Sequence, residues 1–165
     1  MPEQSRTLIA DRRVLENNWV LLEEGAPRPE NARIIVALPE WQAAPGDDVA
    51  PLLASDTELT PELAEQLLDA PLIAIDFPKF TDGRGYSIAR QLRERYGYCG
   101  QIRAVGDVLI DQLYYMSRCG FDAFLLREDQ VVEDALNALD TFSLSYQPGT
   151  DTPEPLFRRR MRESA

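Results

Sequence analysis

Apolar residues come in short pieces at the start of the chain and in longer, regularly spaced runs after Pro71. Residues 7–22, TLIADRRVLENNWVLL, hold apolar pieces broken by Asp11-Arg12 and Asn17-Asn18, which predicts a small β-meander or hairpin. Ile34 to Leu38 is the first continuous apolar run and reads as a buried strand stopped by Pro39. Residues 39–58 carry Pro39, Pro45, Gly46 and Pro51 and read as an irregular connection, with a short strand near Leu52-Leu53. Thr60-Pro61-Glu62 is a helix start: a capping hydroxyl, proline at the first helical position and an acid in the first turn. Leu59, Leu63, Leu67 and Leu68 supply its apolar face.

From Pro71 onward strand and helix patterns alternate. Leu72-Ile73-Ala74-Ile75 is apolar throughout, as in a strand covered on both faces. A helix is expected from Arg84 to Tyr96, with Ile88, Ala89, Leu92 and Tyr96 on one side and Gly97 and Gly100 to end it. Gln101 to Val105 reads as the next strand. Asp107 is placed to cap a helix that reaches Arg118 and stops at Gly120. Phe121 to Leu126 is a further strand, and Asp129 to Phe142 a last helix with Val132, Leu136 and Leu139 inward. Such alternation argues for parallel βα units. They are too few for a closed barrel of eight units. The expected fold is therefore α/β, an open parallel or half-barrel-like sheet with the N-terminal β-meander at an edge. Residues 1–147 form the expected single domain. Residues 148–165, rich in proline and arginine, read as a flexible tail or, alternatively, a docking segment with Leu156 and Phe157 as anchors and the arginines of residues 158–162 as its charged part.

Composition sharpens this picture mainly by exclusion. The chain has no histidine, which removes a Ser-His-Asp triad, a histidine base and any histidine-ligated metal. Cys99 and Cys119 stand twenty residues apart, so there is no redox pair of the C-x-x-C kind and no four-cysteine metal site within one chain. Both read as buried thiols in a reducing compartment. No run of eighteen apolar residues occurs, and the N-terminus lacks a basic stretch followed by an apolar one, so a cytoplasmic setting is expected.

The net charge of −11 argues against a nucleic-acid surface, but it is unevenly spread. Residues 1–70 carry 5 basic and 14 acidic side chains, net −9; residues 71–127 carry 8 and 6, net +2; residues 128–165 carry 4 and 8, net −4. A basic island in an acidic protein attracts an anionic ligand, unless its arginines pair with acidic neighbours. Of 17 basic residues only Lys79 is a lysine, and it lies in the most unusual stretch of the chain.

That stretch, DFPKFTDGRGYS, follows the strand at Leu72, and ligands of parallel sheets bind beyond the carboxyl ends of strands. Gly83 and Gly85 permit close backbone approach, and the helix after them offers free N–H groups. Arg84 has the fork for a sulfur or phosphorus oxyanion, and Lys79 is a point charge. An anion site here would draw on Lys79, Gly83, Arg84, Gly85 and, from the neighbouring strand, Arg103. The alternative is a rigid turn in which Asp82 caps the helix and Arg84 pairs with Asp76 or Asp82. The segment is neither a P-loop nor a full dinucleotide fingerprint, since Ile88 stands at the third glycine position. Asp76, at the end of a buried strand, is a candidate catalytic acid or base alongside Lys79, or a structural carboxylate. Asp82, Tyr86, Ser87 and Asp107 are further candidates. Asp107 and Asp111 share a helix face suited to Mg²⁺, although capping is the simpler role for Asp107. No metal site is assigned. Tyr114 and Tyr115 read as packing residues.

The stretches DFPKFTDGRGYS, RAVGDV and RCGFDAF together resemble an uncharacterised bacterial family, the domain of unknown function 934. The resemblance is strong over residues 71–127. Members of that family are described as oxidoreductases of sulfite reduction and tend to be encoded beside assimilatory sulfite reductase. The residues that match its pattern are Asp76, Phe77, Lys79, Phe80, Asp82, Gly83, Arg84, Gly85, Tyr86, Ser87, Arg103, Gly106, Asp107, Gln112, Arg118, Cys119, Gly120 and Asp122. The resemblance implies a process, sulfate assimilation, and sulfite reductase or another protein of that process as partner. It carries over no catalytic residue. The residues themselves give oxidoreductase chemistry no support: no cofactor is evident, although a flavin held without a motif stays open. The expected function is an accessory protein of assimilatory sulfite or sulfate reduction that binds an oxyanion or the reductase through the loop after residues 72–76. The alternatives are an enzyme on a phosphorylated or sulfated small molecule, or a purely structural interaction module.

Overall fold

A computed structural model describes residues 6–79 and 81–141. Phe80, the end of the last expected helix and the 148–165 tail lie outside the described residues.

Among the described residues, eight strands form one sheet: β1 Leu8–Ala10, β2 Arg13–Leu15, β3 Trp19–Leu21, β4 Arg33–Ala37, β5 Val49–Leu53, β6 Leu72–Phe77, β7 Gln101–Gly106 and β8 Ala123–Leu125. Five helices accompany them: α1 Leu38–Ala43, α2 Pro61–Leu67, α3 Arg84–Glu94, α4 Ile110–Cys119 and α5 Val132–Thr141. Strand order is β2-β1-β8-β7-β6-β5-β4-β3. From β3 to β8 every pair is parallel; β1 is antiparallel to both β8 and β2. The N-terminal strands thus form the expected meander, but β1 and β2 close one edge of the sheet and β3 the other.

That arrangement forces curvature. Laid flat, eight strands at about 4.8 Å spacing would set β2 and β3 roughly 34 Å apart. Only residues 16–18 join Leu15 to Trp19, a reach of at most about 14 Å. The sheet therefore curls into a half-barrel whose edges approach one another. Its two faces pack separately. Leu8, Ala50, Leu72, Ala74, Val105 and Leu125 belong to the inner cluster, which contains no helix residue. Ile73, Ile75, Phe77 and Ile102 point outward and pack with Leu67, Ile88, Leu92, Leu113 and Met116 of the helices. The period-2 alternation along β6 is the cause: Ile73, Ile75 and Phe77 face helices, while Leu72, Ala74 and Asp76 share the face toward the interior. No helix among the described residues is long and apolar enough to cross a membrane.

Several expectations need correction. Pro39 starts a helix instead of only stopping a strand: it sits in the first turn of α1, where a missing N–H costs nothing. Residues 49–53 form a full strand despite Pro51. Asp107 does not cap α4. The N-cap position is Leu109, and the N–H of Ile110 donates to Gln130 Oε1 at 3.0 Å. Cys119 is buried as expected, but Cys99 is exposed, because it lies in the turn after α3.

Candidate functional site

All the parallel strands deliver their carboxyl ends to the same rim, the mouth of the half-barrel, and sequence reading found three of these ends. The loop after β6 is the most elaborate. Asp82 accepts from Arg84 Nε at 3.0 Å and from Arg84 Nη2 at 2.8 Å, a two-point fork, and its Oδ1 also accepts the Arg84 N–H at 3.1 Å. Ser55 Oγ, from the end of β5, donates to Asp82 Oδ2 at 2.7 Å and receives Arg84 Nη2 at 3.2 Å. These bonds hold the Asp82 carboxyl well below the ordinary carboxylate range, the Arg84 side chain being the chief cause. The loop is thus a tied turn in which Arg84 lends its fork to Asp82. A groove does run beside it, but Asp56 and Glu58 share the wall with Arg84 and Ser87. The sequence does not single out Ser55, because residues 39–58 read as an irregular connection with only a short strand near Leu52-Leu53; the end of that strand is the signal that points to it.

The two glycines differ in role. At Gly85 a Cβ would stand 2.8 Å from Phe77 Cζ and 3.1 Å from Ile75 Cγ2, so glycine lets α3 pack on β6. Gly83 has ordinary helical backbone and open surroundings. Tyr86 packs its ring on Phe77 at 5.3 Å and against Tyr115 at 4.9 Å, with Tyr115 itself exposed. Ser87 is exposed and accepts from Gln91 Nε2 at 3.1 Å.

Asp76 and Lys79 are placed otherwise. Asp76 is half-buried on the wall of a cavity of about 310 Å³, lined also by Ala37, Leu38, Pro39, Leu52 and Ala54. Burial raises its pKa, and the nearby Asp82 charge raises it further. Lys79 is exposed and makes no ion pair with any described residue.

Arg103 stands apart from this loop. It is 3% exposed, inside the half-barrel, with its donors on Gln101 Oε1 and Asn17 Oδ1. Asp107 joins a second charged knot on the rim. Arg127 Nη1 donates to Asp107 Oδ1 at 2.6 Å, while its Nε and Nη2 hold Asp129 at 2.6 and 2.7 Å. Arg6 Nη1 donates to the Gly106 carbonyl beside them at 2.6 Å. Among the described residues no group of three or more acidic or cysteine side chains is arranged to hold a metal ion.

The sequence of the chain matches over residues 52–157 the family described as Bacterial protein of unknown function (DUF934). The chain belongs to that family. The DUF934 match begins at Leu52, within β5, and so takes in Ser55, the β6 loop and both charged knots of the rim. It leaves β1 to β4, which complete the curled sheet of this DUF934 member, outside the matched segment. No curated protein matches the chain.

Proposed function

We propose that the chain is a cytoplasmic accessory protein of assimilatory sulfite and sulfate reduction that holds an oxyanion-bearing small molecule at the mouth of the half-barrel. One observation carries the reading: Asp76 lies on the wall of a mostly apolar cavity, three residues before the exposed Lys79. The apolar wall suits the organic body of such a ligand, and the ammonium suits its anionic end. Asp76 stands next to that end. Protonated, its carboxyl donates to an oxyanion; ionised, it repels one. Binding therefore strengthens as pH falls through the raised Asp76 pKa. Sulfite reduction as the setting, and the reductase as protein partner, rest on the family resemblance of residues 71–127.

The test is calorimetric titration of the full chain with sulfite, sulfate and an adenylylated sulfate, and with sulfite reductase. The expected result is saturable binding, tightest for the adenylylated sulfate, weakened about tenfold by Lys79→Met, the equivalent of about 1.4 kcal/mol. Asp76→Asn keeps a donor and loses the pH dependence. Binding to none of these four overturns the reading.

The raised pKa of Asp76 also favours a second reading, an enzyme acting on a phosphorylated or sulfated small molecule. There Asp76 serves as the acid and Lys79 stabilises developing charge. Ester cleavage that disappears in Asp76→Asn while binding persists separates this reading from the first.

A further inference from the structure

A second cleft, of about 280 Å³, lies at the opposite end of the sheet, where β1 turns into β2 and β8 begins. Its floor is apolar: Phe121, Phe124 and Leu139, all buried. Its rim is charged and of both signs. Asp11 and Arg12 come from the β1–β2 turn and Asp122 from the turn before β8.

These charges differ in how firmly they are held. Arg93, also on the wall, donates to the carbonyls of Tyr98, Gly100 and Gly120 at 2.8, 2.7 and 3.0 Å, so it is fixed. Asp122 accepts the Ile102 N–H at 2.7 Å through Oδ1 and meets Arg93 at 3.4 Å through Oδ2. Arg12 is loosely held: its one ion pair among the described residues, to Asp140, is 3.8 Å long and the side chain is 57% exposed. Asp11 is exposed and lines the same cleft as Asp122. Arg93 already faces one oxygen of Asp122, and Asp11 adds a second carboxylate to the same cleft, so a further cationic group is favoured there.

The turn that presents Asp11 and Arg12 holds Arg12 at a cost. Ala10 pairs with Arg13, so these two residues are the whole hairpin loop, and both have positive φ, 53° and 61°. Such a loop prefers asparagine, aspartate or glycine at the first position and glycine at the second, so Arg12 is the misfit.

We propose that this cleft binds a small zwitterion, an α-amino acid with an apolar side chain. Its ammonium lies between Asp11 and Asp122, its carboxylate meets the Arg12 guanidinium, and its side chain rests on Phe121, Phe124 and Leu139. The volume is near the lower end of small-ligand pockets, which suits a molecule of this size.

The test uses the full chain. L-leucine, L-methionine and L-phenylalanine are titrated by calorimetry and by amide-shift mapping. Isoamylamine and 4-methylpentanoate, which each lack one charge of leucine, serve as controls. At least one amino acid should bind, shifting the Gly120 and Asp122 amides, and each single-charge control should bind at least tenfold more weakly than leucine. The double variant Asp11→Asn/Arg12→Gly removes both turn charges and supplies the loop's preferred residues. It should melt at a higher temperature than the wild type and lose amino-acid binding at least tenfold, so that lost binding is not lost folding. The proposal is overturned if none of the three amino acids binds, if a single-charge control binds as tightly as leucine, if the shifts fall at the mouth instead, or if the double variant binds unchanged.

Discussion

Arg103 Nη1 donates to Asn17 Oδ1 at 2.9 Å, joining the middle of β7 to the short link between the two edge strands of the sheet. The other acceptor for this guanidinium is the Gln101 side-chain amide, at 3.1 and 2.9 Å. Neutral oxygens thus hold a cation that is almost wholly out of water. Burial accordingly lowers the Arg103 pKa, to about 10. Asn17 Oδ1 also accepts the Trp19 N–H at 3.1 Å, so one amide fixes the start of β3 and ties the curled sheet across its interior.

Asn17→Ala should lower stability by about 1–3 kcal/mol, because it leaves buried donors of Arg103 and Trp19 without an acceptor. Asn17→Asp should do the reverse at neutral pH, since a carboxylate beside a buried guanidinium forms a charge-assisted bond. Its pKa would be depressed in the folded state. The gain is therefore full above the unfolded aspartate value of about 3.9 and is lost as pH falls through the folded one. Urea unfolding at pH 7 and at pH 3 checks both signs.

Asp76, near the end of β6, and Asp82, in the loop that follows, should titrate in opposite directions. Hydrogen bonds from Arg84 and Ser55 keep Asp82 ionised well into acid, while burial and the Asp82 charge hold the proton on Asp76 longer. Carboxyl ¹³C shifts followed against pH should show Asp76 above the ordinary value and Asp82 below it. In Asp82→Asn the negative neighbour is gone, so the Asp76 midpoint moves down. Because the folded pKa of Asp76 is raised, its contribution is fully present below the unfolded pKa and lost as pH rises through the folded one. Asp76→Asn should therefore melt at a higher temperature than the wild type at pH 7.

Gly106 and Gly97 both have positive φ, 91° and 70°, but only Gly106 is crowded. A Cβ there would stand 2.5 Å from Asp76 Oδ1 and 2.6 Å from the Phe77 carbonyl. Gly97→Ala should cost about 1–2 kcal/mol, the backbone strain alone. Gly106→Ala should cost clearly more and also disturb the Asp76 titration. Denaturation midpoints compared with the Asp76 shift separate the two effects.

The rim knot predicts a difference between neighbours. Asp107→Asn weakens a half-exposed ion pair and should cost no more than about 1 kcal/mol. Gln130→Ala removes the acceptor for the first N–H of α4 and should cost a comparable amount or more, visible as faster amide exchange at Ile110.

The strands β4 and β6 were legible in the sequence because burial on both faces leaves an unbroken apolar run, and β7, interrupted by Gln101 and Arg103, because it follows a helix pattern ended by Gly97 and Gly100. α2 was legible because Thr60 caps it, its hydroxyl accepting the Leu63 N–H at 3.2 Å. α1 was not, because Pro39 read as a break, and β5 was legible only as a short strand near Leu52-Leu53, because Pro51 read as another. Context reverses both: Pro39 occupies a first turn, and the β5–β6 ladder begins only at Leu52, one residue past Pro51. Within the site, the loop after β6 was visible as a cluster of charges and glycines. Which of those charges are spent on each other was not, since Ser55, 27 residues before Asp82, completes the knot. The same holds for Asp107, whose capping position in the sequence is outweighed by Arg127, 20 residues on.

Amide-shift mapping of the full chain with an adenylylated sulfate tests the mouth most directly. Perturbations should gather at Ala54, Thr57, Asp76 and Lys79, grow as pH falls through the Asp76 midpoint, and lose that growth in Asp76→Asn. Shifts confined to residues away from these four, or no shifts at all, would contradict a ligand site at the end of β6.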